Sequence, residues 1–240
     1  MTADGFLEVE NVTRRFGGFQ ALSSVSLHVR QGERFGLIGP NGSGKTTLIN
    51  CISGTLRNDA GRIVFEGHDL TAVPAHRRTR LGIARSFQIP KPFASMTVRD
   101  NLTIPLEYAA RAHGVDATEQ ARAILRLMGL EAKAHAAAAT LTQIEMRKLE
   151  LGRAMAAKPK LLVADEAMAG LSSAEVDDIL DILFQLNARG ITIIMIEHIM
   201  RAVMRFCERI AVLDAGEKIA EGGPEAILAN AAVERAYLGQ

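Results

Sequence analysis

The stretch RFGLIGPNGSGKTTLINCI, residues 34–52, decides the fold of this chain. The short apolar run at 34–38 predicts a strand, and the glycines and proline that follow it interrupt regular structure. Apolar spacing from Thr47 to Ile52 predicts a helix. From Gly39 to Thr46 the residues fit the spacing Gly-x-x-x-x-Gly-Lys-Thr of a P-loop. The stretch therefore predicts a phosphate-binding loop between a strand and a helix.

The loop has the chemistry that a nucleoside triphosphate requires. Its glycines let backbone N–H groups converge on a phosphate, and the following helix points its positive end at the same anion. Lys45 is expected to reach the β- and γ-phosphates, and the Thr46 hydroxyl is expected to bind Mg²⁺. The alternative is a glycine-rich turn that binds nothing. The residues predicted to contact the nucleotide are Gly39, Pro40, Asn41, Gly42, Ser43, Gly44, Lys45, Thr46 and Thr47.

Charge limits the classes of function. The chain has 240 residues, with 28 Lys and Arg against 27 Asp and Glu, so its net charge is close to zero. A dedicated nucleic-acid binder usually carries a strong basic excess, and we expect no nucleic-acid partner here. One basic run, His76 to Arg80, is interpreted as a solvated helix end.

Cysteine spacing and hydropathy indicate a reducing compartment and no membrane span. Cys51 and Cys207 form no Cys-x-x-Cys pair, so neither a zinc site nor a disulfide framework is predicted. No run approaches the roughly 18 apolar residues that a transmembrane helix needs. Residues 1–5 lack the charged and then apolar pattern of a signal peptide. We expect a cytosolic protein whose membrane role depends on a partner.

Strands of two kinds are predicted. Loosely alternating runs at 6–12 and 21–29, with a turn at 14–19 between them, indicate an antiparallel opening. Apolar runs without alternation at 159–166 and 190–198 indicate buried strands of a parallel sheet. A further strand at residues 81–88 is predicted to end at Gln88.

A helical region is inserted between these strands, from Thr97 to about Lys158. We predict an α/β fold: a P-loop NTPase core with a mostly parallel sheet, an N-terminal antiparallel β subdomain and an inserted α-helical subdomain. The whole chain, 1–240, is expected to be one nucleotide-binding domain. Its body is formed by 1–88 and 158–240, and its helical subdomain by 89–157.

Asp165 and Glu166 follow a buried strand, where parallel sheets bind their ligands. Two adjacent carboxylates are costly to bury unpaired, and Mg²⁺ removes that cost. We predict that Asp165 binds Mg²⁺ together with Thr46, and that Glu166 is the general base that polarises the attacking water. The alternative is a solvated pair of carboxylates at a strand end.

Three further side chains are candidates. His198, after the next buried strand, is predicted to contact the γ-phosphate, although a lone histidine there is more often structural. Gln88 is predicted to touch Mg²⁺ or the attacking water, and the proline-rich break after it would let it move. Phe16 is predicted to stack on the adenine ring, with a packed loop aromatic as the alternative.

Residues 140–150 open a helix that is predicted to run to about Ala157. Thr142 and Glu145 have the spacing of a capping box, in which Thr142 caps the helix and Glu145 reaches back from its third position. A purely structural account of this segment therefore exists.

Taken in order, these residues resemble the motifs of an ABC transporter ATP-binding subunit. They are Gly39–Thr46 (Walker A), Gln88 (Q-loop), Leu161–Glu166 (Walker B), Ala169–Ser172 (D-loop) and His198 (switch histidine). The stretches at 15–18, 82–88, 167–171 and 236–239 resemble the branched-chain amino acid importer branch. The resemblance implies an ABC ATPase fold and Mg²⁺-dependent hydrolysis of ATP by a dimer.

The same resemblance implies partners and a location. Two ABC ATP-binding subunits, identical or different, would sandwich two ATP molecules, each facing the other subunit's signature helix. The helical subdomain and the segment Gln88–Phe93 would contact transmembrane permease subunits, and a periplasmic or extracellular solute-binding protein would act indirectly. The protein is then expected at the cytoplasmic face of the inner (plasma) membrane, as a peripheral subunit.

The signature departs from the family's usual Leu-Ser-Gly-Gly-Gln. The corresponding residues are Leu141, Thr142, Gln143, Ile144 and Glu145. Ile144 replaces a glycine, which hinders close backbone approach to a γ-phosphate, and the capping box uses the donors that a phosphate needs. Our hypothesis is a weaker composite site with the partner's Walker A, as in an asymmetric heterodimer. Sequence drift without functional loss is the alternative.

The predicted function is the energy-coupling ATPase of an importer for small, amino-acid-like solutes. A lipid-exporter ATPase has the same single-cassette form and is one alternative. The other is a soluble ABC ATPase that acts on ribosomes or DNA, a class that usually carries two cassettes or a long coiled-coil insertion.

Overall fold

The computed structural model of the protein describes residues 5–87, 90, 92–110 and 113–238. Its strands are β1 (Leu7–Phe16), β2 (Phe19–Val29), β3 (Arg34–Ile38), β4 (Ala60–Phe65), β5 (His68–Asp69), β6 (Ile83–Ser86), β7 (Leu161–Asp165), β8 (Thr192–Ile196), β9 (Arg209–Asp214) and β10 (Glu217–Gly222). Its helices are α1 (Lys45–Ser53), α2 (Ala75–Leu81), α3 (Val98–Tyr108), α4 (Gly114–Leu127), α5 (Gln143–Ala156), α6 (Ser173–Ala188), α7 (Met200–Phe206), α8 (Pro224–Leu228) and α9 (Ala231–Leu238). The chain divides into two units, Met1–Arg78 with Thr192–Gln240, and Thr79–Ile191.

The first unit contains an antiparallel sheet in the order β2-β1-β4-β5. In this sheet Leu7 on β1 is paired with Val29 on β2 and with Phe65 on β4. Along β1, buried Leu7 and Val9 alternate with the partly exposed Glu8. One face of the sheet is therefore apolar, as the alternating sequence predicts.

The first unit also contains the strands that carry the P-loop, in the order β10-β9-β3-β8. β3 lies between β8 and β9 and is parallel to both, while β10 returns antiparallel to β9. Every residue of β8 is buried, which accounts for its continuous apolar run. The loop after β3 therefore leaves from the carboxyl end of a strand that is paired on both sides, where parallel sheets bind ligands.

The second unit combines the parallel pair β6 and β7 with the helices α3, α4 and α5. Leu102, Leu125 and Leu149, from these three helices, are buried. Gly152 on α5 allows close packing, since a Cβ there would lie 3.3 Å from Ile124, Leu102 and Met128 side-chain atoms. In the described part of both units, no helix is long and apolar enough to cross a membrane.

Two predicted boundaries are wrong. β1 continues through Arg14 and Arg15 to Phe16, which pairs with Phe19, so the turn is confined to Gly17-Gly18. Such two-residue hairpins allow pairing up to the turn itself. Leu81 belongs to α2, and β6 begins only at Ile83. Gln88, the predicted end of this strand, lies outside the described residues.

The basic run is a solvated helix end only in part. Arg78 on α2 is buried, and its guanidinium donates to the carbonyl oxygens of Cys51 at 2.6 Å and Ile52 at 2.9 Å. It also donates to Leu70 O at 2.5 Å and Val73 O at 2.7 Å. Because cations stabilise the last carbonyls of a helix, Arg78 caps the C-terminus of α1.

Candidate functional site

Two glycines of the P-loop sit where no side chain fits. Gly39 has a φ of 147°, and a Cβ there would lie 2.0 Å from Leu213 O. Gly44 has a φ of 102°, and a Cβ there would lie 2.7 Å from Ala21 O. The loop between β3 and α1 therefore runs directly against neighbouring backbone, which requires glycine at both positions.

The N-terminus of α1 is open to an anion. Its N-cap is Gly44, which offers no side-chain acceptor, and its first turn contains no acidic residue. By contrast, Thr97, Thr142 and Ser172 each cap their helix with a side-chain oxygen. Because the first N–H groups of a helix have no intrahelical acceptor, those of α1 suit a phosphate.

Lys45 lies at the loop that it is predicted to serve. Its Nζ donates to Gly39 O and Pro40 O, both at 2.8 Å, and lies 3.4 Å from Ser43 Oγ. The side chain is buried, while the neighbouring Thr46 is exposed. The ammonium is thus held at the loop backbone, and Thr46 beside it is exposed to solvent. This arrangement fits a triphosphate with its Mg²⁺.

Two contacts support the loop from the C-terminal part of the first unit. Gly216, in the turn between β9 and β10, donates its N–H to Ser43 O at 3.1 Å. Tyr237 on α9 forms a hydrogen bond with the backbone of Gly39, while burial raises the pKa of its phenol. Sequence reasoning used Tyr237 only as part of a family resemblance, because a contact across almost 200 residues of chain has no local signal.

The other two candidates in the first unit are exposed. His198 lies two residues beyond the end of β8, after the buried Glu197. Phe16, at the end of β1, is 44% exposed, and the Arg14 guanidinium lies 4.8 Å from its ring centroid. Both side chains can be reached by a ligand, and their roles stay predictions.

In the second unit, Asp165 and Glu166 differ in their surroundings. Asp165 ends β7, is buried, and accepts hydrogen bonds from Arg85 on β6. Glu166 has a φ of 47°, in the left-handed region that non-glycine residues seldom adopt. Arg85 was not predicted, because its contact depends on the register between β6 and β7.

The predicted capping box at α5 is confirmed. Thr142 Oγ1 accepts from Glu145 N at 3.4 Å, and Glu145 Oε2 accepts from Thr142 N at 2.9 Å. Lys133 Nζ also lies 2.7 Å from Glu145 Oε2, a contact that the sequence did not indicate. Lys133, followed by the Thr142 hydrogen bonds, holds the pKa of Glu145 below its usual range. A carboxylate therefore caps the helix end that carries the signature.

The signature helix and the D-loop touch within the second unit. Gln143 Nε2 and Arg147 Nη2 donate to Ala169 O at 3.4 Å and 3.1 Å. Gly170 has a φ of 79°, and a Cβ there would lie 2.6 Å from Gln143 Nε2. The two motifs, separate in sequence, therefore form one local structure.

Phe93, at the end of the segment Gln88–Phe93 that is predicted to contact the permeases, is fixed to α3 by a buried asparagine. Asn101 Oδ1 accepts from Phe93 N at 2.8 Å, and Asn101 Nδ2 donates to Phe93 O at 3.1 Å and to Thr97 O at 2.9 Å. The Arg153 guanidinium lies 5.4 Å from the Phe93 ring centroid. Gln88, at the other end of this segment, lies outside the described residues.

The sequence model of the ABC transporter family matches residues 22–169, which is more than half of the chain. The chain belongs to this family. This confirms the predicted resemblance, and the mixed α/β architecture confirms the predicted fold class of an ABC ATPase.

Curated relatives match this ABC cassette along nearly its whole length. A probable branched-chain amino acid transport ATP-binding protein LivG of Archaeoglobus fulgidus is 38% identical, covering 97% of this chain and 95% of the relative. The high-affinity branched-chain amino acid transport ATP-binding protein BraF of Pseudomonas aeruginosa is 35% identical, covering 98% of each chain. The lipopolysaccharide export system ATP-binding protein LptB of Haemophilus influenzae is 34% identical, covering 98% and 97%.

Solved structures of ABC cassettes have the same fold. The ADP conformation of one cassette has a TM-score of 0.87 and 33% identity, covering 100% of each chain. A dimeric cassette in a post-hydrolysis state, bound to ADP and Pi, has a TM-score of 0.82 and 26% identity, covering 91% of this chain and 98% of that one.

Proposed function

We propose that this chain is the subunit that binds and hydrolyses ATP to energise a membrane importer for branched-chain or other amino-acid-like solutes. The observation that carries the proposal is the P-loop, in which an uncapped helix N-terminus and Lys45 converge in a chain of the ABC transporter family. The near full-length match to LivG and BraF supports the choice of solute. We take residues 1–240 as one ABC ATP-binding domain, with 89–157 as its helical subdomain.

Each motif has a proposed task in hydrolysis. The P-loop N–H groups and Lys45 bind the phosphates, Phe16 stacks on the adenine, and His198 contacts the γ-phosphate. Thr46, Asp165 and Gln88 would hold Mg²⁺, which neutralises phosphate charge when bound. The described part of the chain holds no group of three or more His, Cys, Asp or Glu side chains placed for a metal. Mg²⁺ in nucleotide sites is usually held by one or two side chains together with the phosphates.

Glu166 is the proposed general base. Its carboxylate orients a water molecule and takes its proton as the water oxygen bonds to the γ-phosphorus. The bond from the γ-phosphorus to the β-phosphate oxygen breaks, which gives ADP and inorganic phosphate.

The proposed partner in the nucleotide site is a second, different ABC ATP-binding subunit. At the signature of this chain, Glu145 and Thr142 already satisfy each other, and Lys133 holds the carboxylate in place. An ATP molecule on the partner's Walker A would meet this carboxylate and the Ile144 side chain instead of free glycine N–H groups. That composite site is therefore weak, while the site on this chain's own Walker A depends on the partner's signature.

The remaining partners are proposed on the same basis. Permease subunits would dock on the helical subdomain and the segment Gln88–Phe93, at the cytoplasmic face of the inner membrane. Asn101 ties Phe93 to α3, which supports a rigid connection from that segment into the subdomain. A solute-binding protein would act through the permeases.

The experiment that tests the function is ATP turnover by the transporter assembled in lipid nanodiscs with its permeases, second cassette and solute-binding protein. Turnover is expected to rise when the binding protein is loaded with a branched-chain amino acid. Stimulation by a lipopolysaccharide-type lipid, with none by amino acids, would instead favour a role like that of LptB.

A further inference from the structure

Arg85 is a partly buried cation without a role in the mechanism above. Its Nη2 lies 2.5 Å and its Nε 3.1 Å from Asp165 Oδ2. The side chains of Arg85 and Asp165 are only 10% and 6% exposed. A charge-assisted pair is thus made on the carboxylate that is proposed to hold Mg²⁺.

The strand register builds this pair into the second unit. Arg85 on β6 lies opposite Val163 on β7 in a parallel ladder. Side chains two residues apart on a strand point to the same face, so Asp165 emerges beside Arg85 near the carboxyl ends of both strands. The pair is therefore fixed by backbone pairing and does not depend on a flexible surface side chain.

The same guanidinium also touches the start of the Q-loop segment. It lies 5.2 Å from the ring centroid of Phe87, which is 49% exposed and directly precedes Gln88. A guanidinium at this distance is attracted to the ring. One cation thus contacts both the proposed metal ligand and the residue that follows β6.

We propose that Arg85 is a positioning residue that holds Asp165 in the metal-free chain and is displaced when Mg²⁺ and nucleotide bind, which changes its contact with Phe87. This inference rests on the proposed role of Asp165. An oxygen that accepts two guanidinium hydrogen bonds is less available to a metal ion, and the two cations repel each other. Arg85 therefore opposes metal binding and links the metal site to Phe87.

The test measures how much Mg²⁺ strengthens ATP binding. The dissociation constant of a fluorescent ATP analogue is measured for the full chain in EDTA and in excess Mg²⁺. The value in EDTA divided by the value in Mg²⁺ is the ratio that is compared between variants. Arg85→Met is expected to raise this ratio at least about threefold, because a competitor for Asp165 is removed. Arg85→Lys keeps a cation and is expected to return the ratio towards that of the unmodified chain. An unchanged or lower ratio in Arg85→Met would overturn the proposal.

Two control variants distinguish a failure of the proposed role of Arg85 from a failure of the proposed role of Asp165. Asp165→Asn should sharply reduce the effect of Mg²⁺ on ATP binding, and if the effect is unchanged in this variant, the proposed role of Asp165 fails. If the effect is reduced in Asp165→Asn while Arg85→Met has an unchanged ratio, only the role of Arg85 fails.

Arg153→Met is the matched control, since Arg153 pairs with the buried Glu150 at 2.8 Å and stacks on Phe93. It should keep the original ratio. If Arg85→Met is unfolded by circular dichroism, Arg85→Gln takes its place.

The link to Phe87 has its own readout. The chain contains no tryptophan, so Phe87→Trp introduces a single tryptophan beside Arg85, which can be excited selectively over the two tyrosines. Mg²⁺ added to the ATP-bound chain is expected to change the emission of this tryptophan, and the change should be absent when Arg85→Met is also present. If Mg²⁺ binding leaves the tryptophan emission constant in the Phe87→Trp chain that retains Arg85, the proposed link between the metal site and Phe87 is overturned.

Discussion

Asp165 and Glu166 are chemically similar neighbours in unlike environments. Asp165 is buried and paired with Arg85, while Glu166 has a left-handed backbone with a φ of 47°. For a non-glycine residue this conformation costs about 1–2 kcal/mol. Such strain is often found at functional sites, and environments that differ in this way allow two carboxylates to take different roles. The contrast supports Asp165 as the metal ligand and Glu166 as the base.

The two thiols predict a loss of stability at high pH. Burial raises the pKa of Cys51 from 9.0 to about 11 and that of Cys207 from 9.0 to about 12. Between pH 9.0 and the raised pKa of each thiol, the folded chain keeps a proton that the unfolded chain releases. The free energy of unfolding must therefore fall as the pH rises above 9.0, the pKa of the thiol in the unfolded chain. The slope is at most about 1.4 kcal/mol per pH unit for each thiol.

Urea unfolding at about pH 7.5 and about pH 10 measures this loss, because a buried thiol titrates only in the unfolded chain in that window. Cys51→Ala is expected to reduce the difference between the two pH values. An identical difference in Cys51→Ala and in the unmodified chain would contradict the assignment to Cys51.

Asn101 is predicted to matter for coupling as well as for stability. Asn101→Ala removes three hydrogen bonds and leaves backbone groups of Phe93 unsatisfied, at a cost of about 1–3 kcal/mol. Solute stimulation of ATP turnover in the assembled transporter should fall. Asn187→Ala is the matched control, since it removes a bond to Ile191 O of 3.0 Å in the same unit. Equal solute stimulation of ATP turnover in Asn101→Ala and Asn187→Ala would show that Asn101 has no specific role in coupling.

At the scale of elements, the N-terminus of α5 is closed by its own side chains. Thr142→Ala is expected to lower the free energy of unfolding by about 1 kcal/mol, because the N–H of Glu145 loses its acceptor. Thr97→Ala, which removes the cap of α3 at 3.1 Å from Asp100 N, should cost a similar amount. Chemical denaturation of both variants measures the two losses. A Thr142→Ala chain as stable as the original would show that the capping box contributes nothing.

The elements that the sequence predicted are those with a local signal. The P-loop spacing, the buried runs of β7 and β8 and the capping box at Thr142 each lie within a few consecutive residues. Arg78 was placed in solvent because its acceptors, the carbonyls of Cys51 and Ile52, are some 26 residues away along the chain. The contacts of Lys133, Asn101 and Arg85 were missed for the same reason, because hydrophobic periodicity predicts neither tertiary contacts nor strand register.

At the scale of the whole molecule, this chain would carry one half of each of the two composite sites in the proposed dimer, and the two halves differ. Its Walker A loop is open to phosphate, since Gly44 provides no side-chain cap. Its signature helix is closed by Glu145, which Lys133 holds in place. In the proposed heterodimer, a second cassette with a glycine-rich signature would complete the site on this chain's Walker A.

ATP turnover by the assembled transporter with Glu166→Gln in this chain alone tests this account most directly. Removal of the general base should lower turnover at least about a hundredfold, while the binding of ATP with Mg²⁺ is retained. The matching substitution in the partner alone should cause a much smaller loss, because the proposed site on the partner's Walker A would face the capped N-terminus of α5 of this chain. Equal losses from the two substitutions, or turnover close to the original with Glu166→Gln in this chain, would contradict the account.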